Sequence, residues 1–286
     1  MLRLILYNRE FAMKSIHNPM ISVITVCYNT VDTIEKTILS VINQTYQNIE
    51  YIVIDGASSD GTVEVINKYR DNITFIISEP DKGIYDAMNK GISHAHGELL
   101  NFMNAGDMFV SNNVIEKIVN AYIDEGVIYG NIIRIYNKFL KIRNHGIITT
   151  IPKSIDFVHN TIHHQGAFIN KRLFEQYGGY STQYQLASDW KFFFDIVIIH
   201  NEKIKYLDLD IAYFYLDGQS TQKTDLYNRE KEHYLSKIYG PDVCRIIVEL
   251  ADFHDCNIAR FSLALKKLYV CSIKKNLKKL LMSVNN

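Results

Sequence analysis

Apolar segments rich in β-branched residues alternate with segments of helical periodicity over the first third of this 286-residue chain. Ile21–Cys27 is almost continuously apolar, the pattern of a parallel strand covered on both faces. Three more such strands follow, separated by stretches with apolar residues three and four positions apart. This βαβαβαβ order predicts an α/β fold with helices flanking a doubly wound, mostly parallel sheet. The other predicted strands are Ile49–Ile54, Ile73–Ile77 and Leu99–Met103, and the predicted helices are Asp32–Asn43, Thr62–Arg70 and Ile84–Ala95.

The element order becomes less regular after residue 108. The periodicity predicts a helix near Val114–Tyr122, strands near Val127–Tyr136 and Gly166–Ile169, a helix over Asp189–Ile199 and a strand over Lys205–Leu216. Because Met20 directly precedes a strong strand, residues 1–19 are expected to be an extension, or Met20 the true start. We therefore divide the chain into an extension (1–19), an α/β domain (20–222, with halves of about 20–108 and 109–222) and a basic helical C-terminal region (223–286).

The composition excludes several classes of protein. The 47% hydrophobic content fits a globular fold, and no apolar run reaches the roughly 20 residues of a membrane-spanning helix. Four cysteines without a C-x-x-C pair favour a reducing, cytoplasmic compartment. Seven basic and no acidic residues follow Asp255, so the neutral total hides an acidic body and a basic tail. An acidic body without a recognised nucleic-acid module argues against a nucleic-acid partner.

A polar cluster follows each of the first four predicted strands. The carboxyl ends of parallel strands meet at one edge of a sheet, where ligands bind in open α/β folds. The sequence has neither G-x-G-x-x-G nor G-x-x-x-x-G-K-[ST], so side chains and a metal ion would have to hold any nucleotide there. The clusters are Tyr28-Asn29, Asp55 to Asp60, Glu79 to Gly83, and Asn104 to Asp107.

Asp107 is the carboxylate that most needs a partner. It follows a buried strand, where an unpaired carboxylate costs folding free energy. A hard divalent cation such as Mg²⁺ or Mn²⁺, carrying a diphosphate, would stabilise it through oxygen ligation. The alternative is that Asp107 caps a helix beginning near Ser111 to Asn113.

Several segments together resemble the family 2 glycosyltransferases, inverting enzymes of the GT-A fold that use nucleotide-sugar donors. The segments are SVITVCYN (22–29), IDGASSDGT (54–62), SEPDKGIYDAMNKGI (78–92) and LLNFMNAGDMF (99–109). HHQGAFINKRLF (163–174), ASDWKFF (187–193) and YLDGQST (215–221) resemble the acceptor half of members that assemble bacterial polysaccharides. The resemblance covers roughly residues 20–220.

This resemblance implies roles for residues at the strand ends. Asp55 would pair with the edge of uracil, and the pyrophosphate would lie between the side chains of the third cluster. Asn104 to Asp107 stands where the family has its D-x-D-type metal motif, but only Asp107 keeps a carboxylate there. Donor-binding residues would be Thr25, Cys27, Tyr28, Asn29, Asp55, Glu79, Asp81, Lys82, Gly83, Asp86, Asn104, Ala105 and Gly106, with Asp107 holding Mn²⁺ or Mg²⁺.

Asp189 is the expected catalytic base, because inversion needs one carboxylate to take a proton from the acceptor hydroxyl. The Trp190 ring would stack on the apolar face of a sugar. The alternative is that Asp189 caps the helix Trp190–Ile199.

His163, His164 and Gln165 are candidates for contacts with the donor phosphate or the acceptor. The alternative is that a histidine here only forms a hydrogen bond at the start of a strand. His159 and His163 have the i, i+4 spacing of a zinc pair, but H-E-x-x-H is absent.

The C-terminal segment from Leu265 to Val284 has apolar residues on one side of a predicted helix and lysines on the other. Such a helix suits the anionic inner face of the cytoplasmic membrane. A helix packed on its own domain, with its lysines in water, gives the same pattern. Truncation near Asn257 separates the two interpretations.

The sequence therefore predicts a metal-dependent inverting glycosyltransferase that moves one sugar from a nucleotide-diphosphate donor, UDP favoured, to a growing and lipid-linked glycan. A catalytically silent sugar-nucleotide-binding or scaffold protein would not need Asp107 and Asp189 together. A nucleotidyltransferase usually carries a glycine-rich, basic phosphate loop, which residues 27–30 lack. A glycosidase needs two opposed carboxylates and no nucleotide.

Overall fold

The computed structural model describes residues 18–136, 139–149, 152–215 and 224–255. The predicted amphipathic helix of the tail lies outside the described residues. So do almost all of the predicted N-terminal extension and most of the YLDGQST segment. The described part has two large hydrophobic cores, one on each face of a central sheet.

Nine strands form this sheet within the described residues. Their order is β3-β2-β1-β4-β8-β6-β9-β5, and β7 pairs with β6 outside that path. The strands are β1 (Ile21–Cys27), β2 (Ile49–Asp55), β3 (Phe75–Ser78), β4 (Leu99–Phe102), β5 (Met108–Phe109), β6 (Val127–Ile135), β7 (Lys141–Asn144), β8 (Ala167–Asn170) and β9 (Ile204–Tyr215).

The first four strands pair in parallel, as predicted. β1 is buried along its whole length, which explains its continuous apolar sequence. β8 then runs antiparallel to β4, and β6 antiparallel to β8, so β6 points in the same direction as β1. β9 pairs in parallel with β6, and β5 antiparallel with β9. The predicted α/β class with a mostly parallel sheet is confirmed.

Helices cover both faces of the sheet. The predicted helix over Asp189–Ile199 is α-helical only to Phe194 and continues as a π-turn over Asp195–Ile199. Single 3₁₀ turns occur at Arg70–Asn72 and His164–Gly166. The α-helices are α1 (Ile34–Ile42), α2 (Thr62–Asn67), α3 (Ile84–His94), α4 (Val114–Ala121), α5 (Asp156–His159), α6 (Lys171–Tyr177), α7 (Ser188–Phe194), α8 (Thr224–Tyr239) and α9 (Pro241–Asp255).

Both helix-capping alternatives are wrong. The N-cap of α7 is Ala187, and Asp189 lies inside the first turn of that helix. The N-cap of α4 is Asn113, and strand β5 separates Asp107 from it. Neither carboxylate is therefore placed by a capping role, and another reason for its position is required.

Helix α8 belongs to the predicted basic helical C-terminal region (223–286), and it packs on the α/β domain. Lys231, Tyr234 and Leu235 on this helix are buried. The Tyr234 ring packs edge-on against Trp190 and Phe194 of α7. Within the described residues, no helix has the length and apolar character needed to cross a bilayer.

Candidate functional site

The carboxyl ends of β1, β2 and β4 lie at one edge of the sheet, as parallel pairing requires. The turn His164–Gly166 reaches the same edge because β8, which follows it, runs antiparallel to β4. Asn101 on β4 secures this turn, since its side-chain amide donates to the carbonyls of Gln165 (3.1 Å) and Ala167 (2.9 Å). The His164–Gly166 turn and Asn101 are thus in contact, although they are more than 60 positions apart in the sequence.

Asp55 is fully buried at the end of β2. Its Oδ2 accepts hydrogen bonds from the Ser58 N–H (2.9 Å) and the Ser78 hydroxyl (2.6 Å), and its Oδ1 accepts from the Ser58 hydroxyl (2.5 Å). The carboxylate therefore orders the loop after β2. Direct pairing with a uracil edge, as the resemblance implies, requires one of these donors to move.

Thr25 and Cys27 are buried within β1 and do not present their side chains to a ligand. The Thr25 hydroxyl donates to the Met103 carbonyl (2.7 Å), and the Cys27 thiol lies 3.5 Å from Oδ1 of Asp55. Burial, together with nearby Asp55, raises the pKa of the Cys27 thiol, which stays protonated. Thr25 and Cys27, which the resemblance implies as residues that hold the base and ribose, could do so only through their backbone, because β1 is covered on both faces.

Tyr28, Gly56 and Asp81 form the open part of the edge. The Tyr28 side chain is 63% exposed. A Cβ on Gly56 would lie 2.5 Å from Oδ2 of Asp81 and 3.3 Å from the Tyr28 ring, so only glycine lets these groups approach. An aromatic face beside a carboxylate is suited to binding a nucleoside, by stacking and hydrogen bonding.

The loop after β1 and the loop after β2 are bonded to each other. Asn29, with φ of 49°, accepts from the Ser59 N–H (3.0 Å) and donates its own N–H to the Ser58 hydroxyl (2.8 Å). The Val31 N–H donates to Asp60 (3.0 Å). The two loops therefore form one rigid rim around the Tyr28 side chain.

The third cluster leads into α3. Asp81 accepts from the Gly83 N–H (2.8 Å), and Asp86 accepts from the Lys82 N–H (3.0 Å). Gly83 has φ of 119°, a conformation that L side chains rarely adopt. Glu79 forms an ion pair with Lys90 (2.9 Å). The Lys82 side chain is exposed beside this turn and is placed to meet an anionic ligand.

The Asn104 to Asp107 loop is tight and mostly buried. Gly106 has φ of 100°, its N–H donates to the Thr37 hydroxyl (3.0 Å), and that hydroxyl donates to the Asp107 carbonyl (2.7 Å). The Ala105 N–H donates to the Val26 carbonyl (3.0 Å). Helix α1 therefore holds the loop through Thr37, a contact that the sequence does not indicate.

Two oxygens in this loop fit a divalent cation. The Oδ1 atom of Asn104 is buried and has no hydrogen-bond partner in the described structure. Burial raises the pKa of Asp107 to about 7 despite a hydrogen bond from Gln165. A cation would satisfy both oxygens, with phosphate and water as the remaining ligands. Within the described ranges, no group of three or more His, Cys, Asp or Glu residues could hold a metal ion.

Asp189 and Asn104 are joined through His164. The Nδ1 atom of His164 lies 2.8 Å from Oδ2 of Asp189, and its Nε2 lies 3.2 Å from Nδ2 of Asn104. Oδ1 of Asp189 accepts from the Tyr85 hydroxyl (2.9 Å) and the Trp190 N–H (2.9 Å). Burial opposes ionisation of Asp189, but the bonds from His164, Tyr85 and the Trp190 N–H outweigh it and hold its pKa below the ordinary value.

Trp190 is fully buried, so the expectation that its ring stacks on a sugar is wrong. The indole N–H donates to the Phe157 carbonyl (2.8 Å), and the ring stacks on Phe194 with centroids 5.3 Å apart. In α7, residues 189 and 190 differ in direction by about 100° of helix rotation, so one faces the site and the next faces the core.

His163 points away from His164, towards strand β7. Its Nε2 lies 3.1 Å from Oδ1 of Asn144. Burial, with Arg134 nearby, lowers the pKa of His163 to about 3, so the ring is neutral at pH 7 and supplies no charge to a phosphate. The Nε atom of Arg134 is buried without a hydrogen-bond partner in the described structure. Arg134 is the better candidate for an anion on this side.

Sequence reasoning missed the contribution of α8. The Glu230 carboxylate accepts from three consecutive backbone N–H groups, those of Gln185 (2.7 Å), Leu186 (3.0 Å) and Ala187 (2.9 Å). These groups precede α7, whose first turn carries Asp189. The neighbouring Lys231 ammonium donates to the Val158 carbonyl and lies 5.2 Å from the centroid of the Trp190 ring. No local pattern could reveal contacts across 40 or more residues.

A mostly parallel α/β sheet, with a buried carboxylate loop and a carboxylate–histidine pair at its carboxyl edge, defines a class of ligand-binding enzyme fold. Comparison with known proteins identifies the family. The model of glycosyl transferase family 2 matches residues 22–178, more than half of the chain. The chain belongs to this family and is a glycosyltransferase.

Two relatives illustrate the sequence similarity. An uncharacterized glycosyltransferase of Mycobacterium tuberculosis is 33% identical over 181 residues, which are 61% of this chain and 67% of the relative. A PGL/p-HBAD biosynthesis glycosyltransferase of Mycobacterium bovis is 29% identical over 61% of this chain and 68% of its own length.

Solved structures show the same fold at lower identity. Staphylococcus aureus TarS 1–349 in complex with UDP-GlcNAc superimposes with a TM-score of 0.60 and 17% identity, over 85% of this chain and 75% of that one. The chain spans 43% of a longer TarS chain. The mannosyltransferase PcManGT from Pyrobaculum calidifontis, in complex with GDP-Man and Mn²⁺, gives 0.57 and 15%, over 96% and 88%. The predicted GT-A fold is confirmed.

Proposed function

We propose that this chain is a metal-dependent, inverting glycosyltransferase that moves one sugar from a nucleotide diphosphate sugar to a growing glycan. The connection from Asn104 through His164 to Asp189 carries the proposal. It connects the Asn104 to Asp107 loop, which is suited to binding a cation, with Asp189, which is suited to acting as a base. A protein that only binds sugar nucleotides has no need for an ionised, buried carboxylate connected to the loop that suits a cation.

Asp189 is the proposed general base. Its lowered pKa keeps it ionised at neutral pH, ready to accept the proton of an acceptor hydroxyl. The acceptor oxygen forms a bond to the anomeric carbon as the bond from that carbon to the diphosphate oxygen breaks. The electron pair of that bond leaves with the nucleoside diphosphate, and attack opposite the leaving group inverts the anomeric configuration.

Asn104 and Asp107 are the proposed residues that hold Mn²⁺ or Mg²⁺. When bound, the cation neutralises charge that develops on the departing diphosphate. Lys82 and Arg134 are cations of the chain itself that could add to this neutralisation from two sides. The complex of PcManGT with GDP-Man and Mn²⁺ supports a metal in a protein of the same fold.

The open part of the sheet edge, formed by Tyr28, Gly56 and Asp81, is the proposed site for the nucleoside. UDP is the favoured nucleotide, and the UDP and UDP-GlcNAc complexes of TarS support that preference. PcManGT was captured with GDP-Man, so the shared fold accommodates more than one base. The exposed Tyr28 ring stacks equally well on any base. Discrimination between the bases therefore depends on hydrogen bonds from the residues around Tyr28.

The proposed acceptor is a lipid-linked glycan of cell-surface polysaccharide assembly, handled at the cytoplasmic side of the membrane. The Mycobacterium bovis relative, named for PGL/p-HBAD biosynthesis, supports an acceptor used in building a larger glycoconjugate. The acceptor half of the chain, from about residue 109, contributes Asp189, His164 and Arg134 to the site, next to the donor half.

A thermal-shift screen tests donor and metal together. We expect UDP-sugars to raise the melting temperature more than GDP- or dTDP-sugars, and only in the presence of Mn²⁺ or Mg²⁺, because a ligand that binds only the folded state stabilises it. Removal of the metal with EDTA should abolish the shift. Equal shifts with and without metal would contradict the proposed metal dependence.

Two substitutions test the assigned roles. Asp107→Asn should remove the metal-dependent part of the thermal shift, and Asp189→Asn should leave that shift intact while donor hydrolysis or transfer falls about 10²–10⁴-fold. Asp124→Asn is the matched control, because Asp124 is an exposed acid paired with Lys203 far from the strand ends. Normal turnover in folded Asp189→Asn would remove Asp189 as the base.

A further inference from the structure

Arg134 is a cation beside the candidate site that has no anionic partner. Its Nε atom is buried without a hydrogen bond, and none of the ion pairs in the described ranges includes this side chain. A guanidinium stays charged at neutral pH, and a buried N–H without an acceptor costs folding free energy. A ligand with anionic oxygens would supply the acceptor that the described part of the chain does not.

The two arginines of β6 and β7 lie on opposite faces of this strand pair. In the register of the pair, Arg134 lies two positions from the partner of Asn144, so these two side chains share one face. Arg143 is on the other face, where its guanidinium is paired with Asp208 and Asp210 of β9. The charge of Arg143 is therefore satisfied within the chain, whereas that of Arg134 is not.

The face that carries Arg134 meets the acceptor half of the candidate site. On this face, Oδ1 of Asn144 lies 3.1 Å from Nε2 of His163, the residue before His164. Burial, and after it the charge of Arg134, lowers the pKa of His163, so this ring is neutral and does not pair with an anion in place of Arg134. Arg134 therefore lies beside the turn whose histidine contacts Asp189.

Helix α8 contributes a tyrosine to the same place. The centroid of the Tyr227 ring lies 5.0 Å from Nζ of Lys231, and the same ammonium lies 5.2 Å from the centroid of the Trp190 ring. Burial and the neighbouring Asp189 raise the pKa of the Tyr227 hydroxyl, and Arg134 opposes them. Tyr227 is therefore close to both the proposed base and the unpaired guanidinium, and its protonated hydroxyl can donate to an anion.

We propose that Arg134 binds a phosphate group of the acceptor, with the Tyr227 hydroxyl as a second donor. The planar guanidinium presents two N–H groups side by side, which match two phosphate oxygens. The neighbours of Arg134 belong to the acceptor half (His163) and to α8. Apart from burial, the titratable group that acts on the pKa of Asp107 is His164. An acceptor phosphate therefore fits better than the donor diphosphate, to which Arg134 could also contribute charge.

The assignment of this phosphate to an acceptor rests on the proposed function, whereas the binding of a phosphate by Arg134 does not. Calorimetric titration of the full chain with α-D-glucose 1-phosphate tests both. UDP and Mg²⁺ are added first to fill the proposed donor site, and the titration is repeated without nucleotide. We expect glucose 1-phosphate to bind and inorganic phosphate to compete with it. Methyl α-D-glucoside, which has no anion, and methyl α-D-glucuronide, which has a carboxylate, should bind much more weakly.

Substitutions of Arg134 locate the contact. Arg134→Gln should weaken the binding of glucose 1-phosphate at least about tenfold, because hydrogen bonds to a charged group are lost. Arg134→Lys keeps the charge without the planar pair of donors and should lose less. The affinity for UDP should stay unchanged in both variants. Arg143→Gln is the matched control, because Arg143 is on the neighbouring strand but is already paired with two carboxylates. It should bind glucose 1-phosphate and UDP normally.

Several results would overturn the proposal. One is unchanged binding of glucose 1-phosphate by folded Arg134→Gln, and another is no binding of either phosphate by the unchanged chain. Weaker binding of UDP by Arg134→Gln would assign the guanidinium to the donor diphosphate. An equal loss in Arg143→Gln would indicate charge alone, and tighter binding of the glucuronide would indicate a carboxylate ligand. Failure of UDP to bind with Mg²⁺ would count against the proposed function instead, and the titrations without nucleotide would still decide whether Arg134 binds phosphate.

Discussion

Asp189 shows how strongly the environment of a proposed catalytic base depends on residues distant in the sequence. The family resemblance and the need of an inverting reaction for one carboxylate indicate it as the base. Its three hydrogen-bond donors come from α3, the His164 turn and its own helix. These donors, two of which are far from Asp189 in the sequence, keep the carboxylate ionised although it is buried.

Tyr85→Phe should weaken the proposed base without removing it. The Tyr85 hydroxyl favours the ionised form of Asp189, so its loss raises the pKa of that carboxylate. Since the base must be ionised, the acid limb of the kcat profile should move to higher pH, and kcat should fall about three- to tenfold. A pH–rate series from pH 5 to 9 measures both effects.

The control for this change is Tyr122→Phe. Tyr122 donates to the carboxylate of Glu98 (3.0 Å), another tyrosine–carboxylate pair, at the far side of the chain from the site. Its loss should leave the pH profile unchanged. An identical acid limb in Tyr85→Phe and the unchanged chain would show that this hydroxyl does not tune the base.

Helix α8 acts on α7 through one carboxylate. Glu230 accepts from three backbone N–H groups in the segment that leads into α7, the last of which belongs to the N-cap residue Ala187. A negative charge there also interacts favourably with the helix dipole. Another helix therefore fixes the segment before α7, whose N-cap residue, Ala187, makes no side-chain capping hydrogen bond of its own.

Glu230→Gln should loosen the start of α7. Hydrogen bonds to a charged acceptor contribute about 1.5–3 kcal/mol, so we expect the free energy of unfolding to fall by about that amount. We also expect kcat to fall several-fold while KM for the donor stays constant, because Asp189 is the proposed base for the acceptor hydroxyl. Glu232→Gln is the control, since Glu232 is exposed on the same helix. Equal effects of the two substitutions would contradict a specific role for Glu230.

Lys231 should make stability depend on pH in the alkaline range. Burial lowers the pKa of Lys231 from 10.5 to about 8. Between those values the unfolded chain binds more protons, so the free energy of unfolding rises with pH. From pH 7.5 to 9.5 the gain should be about 2 kcal/mol. Urea unfolding at both pH values should show this gain in the unchanged chain and a smaller one in Lys231→Met.

Helix α8 forms part of the hydrophobic core, so the folding of the whole molecule depends on it. Tyr234 packs against Trp190 and Phe194, and Leu235 is almost fully buried. A chain ending at residue 222, where the sequence predicts the α/β domain to end, would expose this surface. We expect it to aggregate or to lose cooperative unfolding, whereas a chain ending at residue 256 should keep its melting temperature and donor binding. Cooperative folding of the shorter chain would disprove the role of α8 in the core.

The first half of the fold could be predicted because its strands and helices follow from patterns among neighbouring residues. Four apolar segments and the helices between them specify a parallel sheet, and parallel strands place Tyr28, Asp55, Asp81 and Asp107 at one edge. The antiparallel entry of β8 could not be predicted, since strand pairing depends on contacts between segments about 70 residues apart. That pairing brings His164 to Asn104.

The order of residues along the chain was enough to identify the α/β class and the carboxylates at the strand ends, because period and spacing are properties of neighbouring residues. Which of those side chains face a ligand depended on packing. Thr25, Cys27 and Trp190 are enclosed because their elements are covered from both sides, and Asp189 is ionised because the distant donors Tyr85 and His164 add to the neighbouring Trp190 N–H. Burial and long-range hydrogen bonds exist only after the chain has folded.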